Sequence, residues 1–204
     1  MMMNRPTIAI VGVGGAGLNM VNYLKRTGIN DPDRAQYIAV NCDRESLSRC
    51  EADILLPIGV KSFDGPGAKG NVRLGRDCAI ESRDTIMPAL EAFQLVFIVA
   101  GLGGGTGTGA AIEIARMGRD LGAITVALVT LPFSFESKKR MQNAEKGLAV
   151  LGQFTDALIV LPNNRLRRLA SLQLTIKELF DLSSEHIRQA ISGFIPLLYQ
   201  AEGL

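Results

Sequence analysis

The chain reads as an α/β protein built on a doubly wound, mainly parallel six-stranded sheet. Short apolar, β-branched runs alternate with longer amphipathic runs along the sequence. The short runs lack polar alternation, which is the pattern of strands covered by helices on both faces. Two of them lead directly into glycine-rich loops, as strand-to-helix turns do in folds of this kind.

In order, the strands are expected at "TIAIVGV" (7–13), "YIAVNC" (37–42), "DILLPIG" (53–59), "LVFIVAG" (95–101), "AITVALVT" (123–130) and "ALIVLP" (157–162). Helical runs lie between and after them, at about 16–27, 71–92, 107–121, 137–152 and 176–200. In the last, Ile176, Leu179, Phe180, Ile187, Ile191 and Phe194 recur at helical spacing. Residues 1–175 are expected to form a nucleotide-binding domain and 176–204 a long helix leading out of it. No internal repeat, linker or low-complexity tract interrupts the pattern.

Composition narrows the function. The chain has 204 residues, 47% of them hydrophobic, enough for one core without disulfides or metal. A net charge of +2 gives no reason to expect nucleic acid or a membrane surface as partner. The basic run Arg165, Arg167, Arg168 reads as a solvated helix face. Cys42, Cys50 and Cys78 are odd in number, lack metal-ligand spacing and read as reduced thiols of a cytoplasmic protein. His186 is the only histidine, which excludes a His-based triad or a multi-His metal site. The N-terminal apolar run breaks into glycine too early for a signal peptide, and no stretch approaches the roughly 20 apolar residues of a membrane span.

The chemistry lies in the loops after the strands. "GVGGAGLN" (12–19) follows the first strand, and Gly12, Gly14 and Gly17 fit G-x-G-x-x-G. That pattern sets backbone N–H groups and a helix N-terminus against a phosphate. Asp43, after the second strand, stands where a dinucleotide enzyme holds a ribose hydroxyl. These residues alone suit an NAD-dependent oxidoreductase. A second glycine loop, "GLGGGTGTG" (101–109), changes the balance. One pyrophosphate needs one such loop; two loops suit a di- or triphosphate held from both sides. Thr106 and Thr108 would add hydroxyl donors. A third stretch, "DGPGAKGNVRLGR" (64–76), would fold over the terminal phosphate with Lys69 supplying charge; the alternative for Lys69 is a solvated loop lysine. No G-x-x-x-x-G-K-[ST] occurs, so the chain is not a P-loop protein.

"GGGTGTG" resembles the signature of the tubulin and FtsZ GTPases, with FtsZ the nearer of the two. Further segments resemble that family in order along the chain: 12–19, 41–47, 65–76, 132–140 and 161–166. The resemblance implies GTP or GDP as ligand, with Mg²⁺ bridging the phosphates largely through waters. Gly14, Gly15, Gly17, Gly104, Gly105, Thr106, Gly107 and Thr108 would hold phosphates. Asp43 would order its loop. Lys69 and Asn71 belong to the loop that resembles the γ-phosphate sensor. Asn19 would lie near guanine. Pro132, Glu136 and Arg140 belong to the ribose-binding segment, and Asn163 would approach the nucleoside. Phe180 would pack on the base or, alternatively, serve as a core aromatic.

The sequence departs from the family in two ways. Where relatives carry Asp or Asn to pair with guanine, it has Ser184, followed by Glu185. Either Glu185 rotates in or guanine selectivity is weaker. The chain also stops where the family continues into an acidic loop and a second domain. In the family that loop completes the GTPase site of the next subunit, so little turnover is expected of this chain alone. The implied partner is a second copy or a longer FtsZ-like subunit, in a filament serving cell division. A short nucleotide-binding regulator of a longer FtsZ remains the alternative.

Overall fold

The computed structural model describes residues 6–29, 33, 35–61, 65–169 and 174–201. Asp64, Glu202–Leu204 and the side chains of Arg167 and Arg168 lie outside that description. The elements run β1 (Ile8–Val13), α1 (Gly14–Thr27), β2 (Ala35–Asn41), α2 (Arg44–Ser48), β3 (Ile54–Pro57), α3 (Val72–Glu81), α4 (Arg83–Leu90), β4 (Leu95–Gly101), α5 (Gly105–Asp120), β5 (Ile124–Leu131), α6 (Lys138–Leu151), β6 (Ala157–Pro162), α7 (Asn163–Leu169) and α8 (Ile176–Ala201). One six-stranded sheet has the order β3-β2-β1-β4-β5-β6. Every neighbouring pair is parallel.

The absence of polar alternation is explained by the two cores. In β1, Ile8 and Ile10 pack with Leu18, Val21 and Leu24 of α1 and Ile187, Ile191 and Ile195 of α8. Ala9, Val11 and Val13 face the opposite layer, with Cys78, Ile86, Ile114 and Ala144 from α3 to α6. Both faces of each central strand are therefore dry, and a polar residue on either would lose its water. All three cysteines are buried free thiols, and burial pushes that of Cys78 up to about 12.

The helical run 71–92 is two helices rather than one. The break is Ser82, with φ −93° and ψ 15°, whose hydroxyl accepts the Gly59 N–H at 3.0 Å. Two short helices were not expected. Five residues show no period, and α2 exists because Asp43 caps it, accepting the Glu45 and Ser46 N–H groups, both at 3.1 Å.

The α3–α5 contact depends on missing side chains. A Cβ on Gly75 would lie 2.3 Å from the Gly105 carbonyl oxygen, and one on Gly109 would lie 2.1 Å from that of Val72. Backbone, unlike a rotamer, cannot step aside. Gly109→Ala should therefore cost about 2 kcal/mol or more by overpacking, despite alanine's better helix propensity. Urea unfolding measures this; an unchanged midpoint would show that the two helices can separate without cost.

Candidate functional site

Chain order along the sheet reverses between β1 and β4, and ligands of such sheets bind at the carboxyl ends of the strands beside that point. Val13 pairs with Ala100, so the two strands end level with each other. From them start α1 and α5. The N-cap residues Val13 and Gly104 provide no side-chain cap, and neither helix has an acidic residue in its first turn. Two helix N-termini thus present amide N–H groups and positive dipole ends to one cavity of about 460 Å³. A group with many acceptor oxygens and negative charge satisfies both.

The glycines here are of two kinds. A Cβ on Gly14, which has φ +69°, would lie 2.7 Å from the Gly107 nitrogen, and one on Gly107 would lie 2.5 Å from the Gly101 oxygen. These glycines let the two loops touch each other. At Gly15 and Gly104 a Cβ would meet no protein atom within 4 Å, and both residues line the cavity. Space there is left for something other than protein. Gly105 also lines the cavity, but its Cβ would strike Ala68 Cβ and the Asn71 oxygen, both at 2.7 Å. It admits the third loop.

Three expected phosphate-loop residues stand back from the cavity. A Cβ on Gly17 would strike the Val99 oxygen at 2.6 Å, so Gly17 serves helix–strand packing. Thr108 is fully buried and its Oγ1 accepts the Gly103 N–H at 2.8 Å, which shapes the loop from behind. Asn71 caps α3, accepting the Leu74 N–H at 3.1 Å. Thr106 lines the cavity. Lys69 also lines it, exposed and with φ +43°, the one non-glycine in left-handed conformation among the described residues. Asp43 lines it too, but its carboxylate is occupied by α2 and by the Ser46 hydroxyl at 2.7 Å, bonds that hold it below the usual carboxylate range. It orders a loop through bonds to both of its carboxylate oxygens.

The cavity is also lined by Asn19, Pro132, Glu136, Arg140, Asn163, Phe180 and Ser184. Glu136 accepts the Phe133 N–H at 2.9 Å and pairs with Arg140 at 2.6 Å. Asn163 is buried and its Oδ1 accepts the Ser183 hydroxyl at 3.0 Å. Phe180 is 38% exposed and packs perpendicular to buried Phe133, so it is not a core aromatic. Ser184 is buried and donates its hydroxyl to the Phe180 carbonyl at 3.0 Å, which leaves it an acceptor. Glu185 does not turn in. Arg188 grips it through two bonds of 2.7 Å, with Tyr23 at 3.2 Å and Gln189 at 2.8 Å, and the Arg188 bonds hold its pKa at about 2.

Sequence reasoning missed Asn41, Met20, Ser46 and Thr130, which also line the cavity. Asn41 had a signal, a polar residue ending an apolar strand; Met20 and Thr130 had none. No cluster of three or more His, Cys, Asp or Glu that could hold a metal occurs among the described residues. None of their helices is long and apolar enough to cross a membrane.

Comparison with known proteins agrees with this geometry. Residues 7–171 match the model of the tubulin/FtsZ family, GTPase domain. The chain is 42% identical over 191 residues to cell division protein FtsZ 1 of Methanocaldococcus jannaschii, covering 94% of this chain and 51% of that protein. It is 38% identical to FtsZ of Coxiella burnetii, covering 94% of this chain and 49% of that one. An empty FtsZ dimer from M. jannaschii superposes with a TM-score of 0.87 at 41% identity, over 95% of this chain and 55% of that one. The chain spans about half the length of these relatives.

The Glu185 network ties α8 to α1 and carries a pH signature. A carboxylate with a depressed pKa adds stability above its ordinary value of 4.5 and loses it as pH falls toward about 2. Glu185→Gln should therefore be less stable than the parent at pH 7, with the gap narrowing below pH 4.5. Denaturant unfolding at several pH values reads the gap; one that is constant with pH would show that the ion pair contributes nothing.

Proposed function

The chain belongs to the tubulin/FtsZ GTPase family, and from that premise we propose that the cavity holds a guanine nucleotide with its phosphates between the two glycine loops. The observation that carries this is the meeting of two uncapped helix N-termini at one end of the cavity. Gly15 and Gly104 leave room for phosphate oxygens, Gly14, Gly105 and Gly107 shape the wall, and Thr106 adds a hydroxyl. Lys69 supplies charge at the third loop. Glu136 accepts from ribose hydroxyls beside Arg140 and Pro132. Asn19 and Asn163 approach the nucleoside, and Phe180 packs its open face on the base. Ser184, an acceptor by its bond to Phe180, takes the N1–H or N2–H of guanine. One oxygen replaces a carboxylate's two, so discrimination against adenine is weaker than an acid would give.

Mg²⁺ fits this donor set as an ion carried on the phosphates. Of the carboxylates lining the cavity, Asp43 caps α2 and Glu136 is assigned to the ribose, so phosphate and water oxygens would fill most of its coordination shell. We read residues 1–175 as the nucleotide-binding domain and α8 as the helix leading from it. The whole protein would be a cytoplasmic cell-division filament subunit, its partner another FtsZ-like subunit.

Denaturing the purified protein should release GDP or GTP; release of NAD would overturn the reading. Gly104→Val should stay folded, since its Cβ meets no protein atom, yet weaken GDP binding by about tenfold or more. A folded variant of unchanged affinity would place the phosphates elsewhere.

Turnover by this chain alone should stay near background. Asp43 orders its own loop and Glu136 is assigned to the ribose, so neither is placed for an attacking water. The resemblance places that role on the neighbouring subunit's acidic loop, so adding full-length FtsZ should raise phosphate release. Rapid release by the isolated monomer would reveal a catalytic group within these residues.

A further inference from the structure

Asn143 has no part in the roles assigned above. It lies half-buried on α6, one turn beyond Arg140. Its side-chain nitrogen is 3.2 Å from the Gly70 carbonyl oxygen and 3.4 Å from that of Gly103. An amide NH₂ has two hydrogens, one for each carbonyl. One carbonyl belongs to the third loop and the other to the second glycine loop.

The two loops differ in what holds them. The second is fixed from several sides: Thr108 takes the Gly103 N–H, and a Cβ on Gly103 would strike the Arg140 oxygen at 2.7 Å. Helix α6 is fixed as well. Ser137 caps it, and a Cβ on Gly147, one turn past Asn143, would lie 2.2 Å from Thr108 Cγ2. Asn143 is therefore a rigid mount rather than a swinging arm. The third loop is different. Gly67, Lys69 and Gly70 have φ of +73°, +43° and +78°, and for Lys69 that conformation is intrinsically unfavourable. The loop packs on Gly105 through Ala68 and Asn71, and at Gly70, between Lys69 and Asn71, the bond from Asn143 adds a hydrogen bond from another element.

We propose that Asn143 is a positioning residue that clasps the third loop to the second glycine loop and so holds Lys69 toward the terminal phosphate. The inference rests on the guanine-nucleotide reading. With the clasp, the loop meets a third phosphate already ordered; without it, the ligand must order the loop itself. The effect falls on the triphosphate, because the second glycine loop is also braced by Thr108 and keeps its shape without Asn143, whereas the third loop loses its bond at Gly70.

The test compares parent, Asn143→Leu and Asn143→Asp, each of similar size and lacking the amide donor. Binding of GDP and of a non-hydrolysable GTP analogue is measured by fluorescence titration. Peptide-level hydrogen exchange over residues 65–71 is followed without nucleotide. The expected result is GDP affinity within about twofold of the parent, analogue affinity about five- to tenfold lower, and faster exchange in the loop. Equal loss of both nucleotides, or unchanged exchange, would overturn the clasp. If Asn143→Leu fails to fold by circular dichroism, Asn143→Asp decides by the same measures. If the parent binds neither nucleotide, the functional reading fails separately, and exchange alone then decides: faster exchange supports the clasp and unchanged exchange rejects it.

Discussion

The site depends on one backbone contact, that between Gly14 and the first turn of α5. A Cβ on Gly14 would lie 2.7 Å from the Gly107 nitrogen, so only glycine, at φ +69°, lets the two helix starts approach this closely. Everything else at that end follows from it. Because β1 and β4 are adjacent and end level, their loops leave the sheet side by side. Because neither helix is capped by a side chain or carries an early acid, the charge at their ends is left unmet. Thr108 and Gly103 brace the loop from behind rather than facing the ligand. The positive potential is thus built from backbone, which cannot rotate away, and among the described residues lining the cavity Lys69 and Arg140 are the basic side chains.

The cavity wall at Asn163 and Ser184 is governed by the cost of buried polar groups. Asn163, Ser183 and Ser184 are all buried, and each has a partner: the single Ser183 hydroxyl hydrogen lies between Asn163 Oδ1 and the Leu179 carbonyl, and Ser184 bonds the Phe180 carbonyl. These bonds fix which atoms remain to meet a ligand. Glu185, one residue on, is drawn to the opposite side by Arg188 and Tyr23, where it fastens α8 to α1. A one-residue step on a helix turns a side chain by about 100°, so the acid and the serine serve different ends. Phe133 anchors the aromatic group from the core, while Phe135 and Phe180 remain open at 52% and 38% exposure. That apolar surface suits a planar ring and explains why Phe180 does not sink into the core despite its helical spacing.

How far the sequence could be read differs by element. The strand at 95–101 and the strand at 157–162 have the expected bounds, since an apolar run flanked by polar residues or glycine marks both ends. The helix over 71–92 did not show its break, because Ser82 is tolerated inside helices and its bond to Gly59 joins distant segments. Among site residues, Gly104 and Thr106 were legible from the glycine motif, and Gly15, Glu136 and Phe180 from the family resemblance, and the structure brings them to one cavity. Gly17, Thr108 and Asn71 belong to the same motifs but serve packing, a hydrogen bond and a cap. A motif records where glycine or a hydroxyl is required, not whether the requirement comes from ligand or neighbouring backbone.

The amino-acid order by itself determined the sheet, its parallel character and the positions of the glycine-rich loops. Those are local matters: period, turn residues, and runs too apolar to face water. Only the tertiary structure decided which glycines leave room for a ligand and which admit another loop, and which carboxylates are already spent. It also decided that Glu185 turns away while Ser184 stays, and that an asparagine on α6 joins two loops more than thirty residues apart in sequence. The reason is that such properties depend on distances between atoms remote along the chain. They arise from how helices pack across the sheet, and no window of sequence contains both partners.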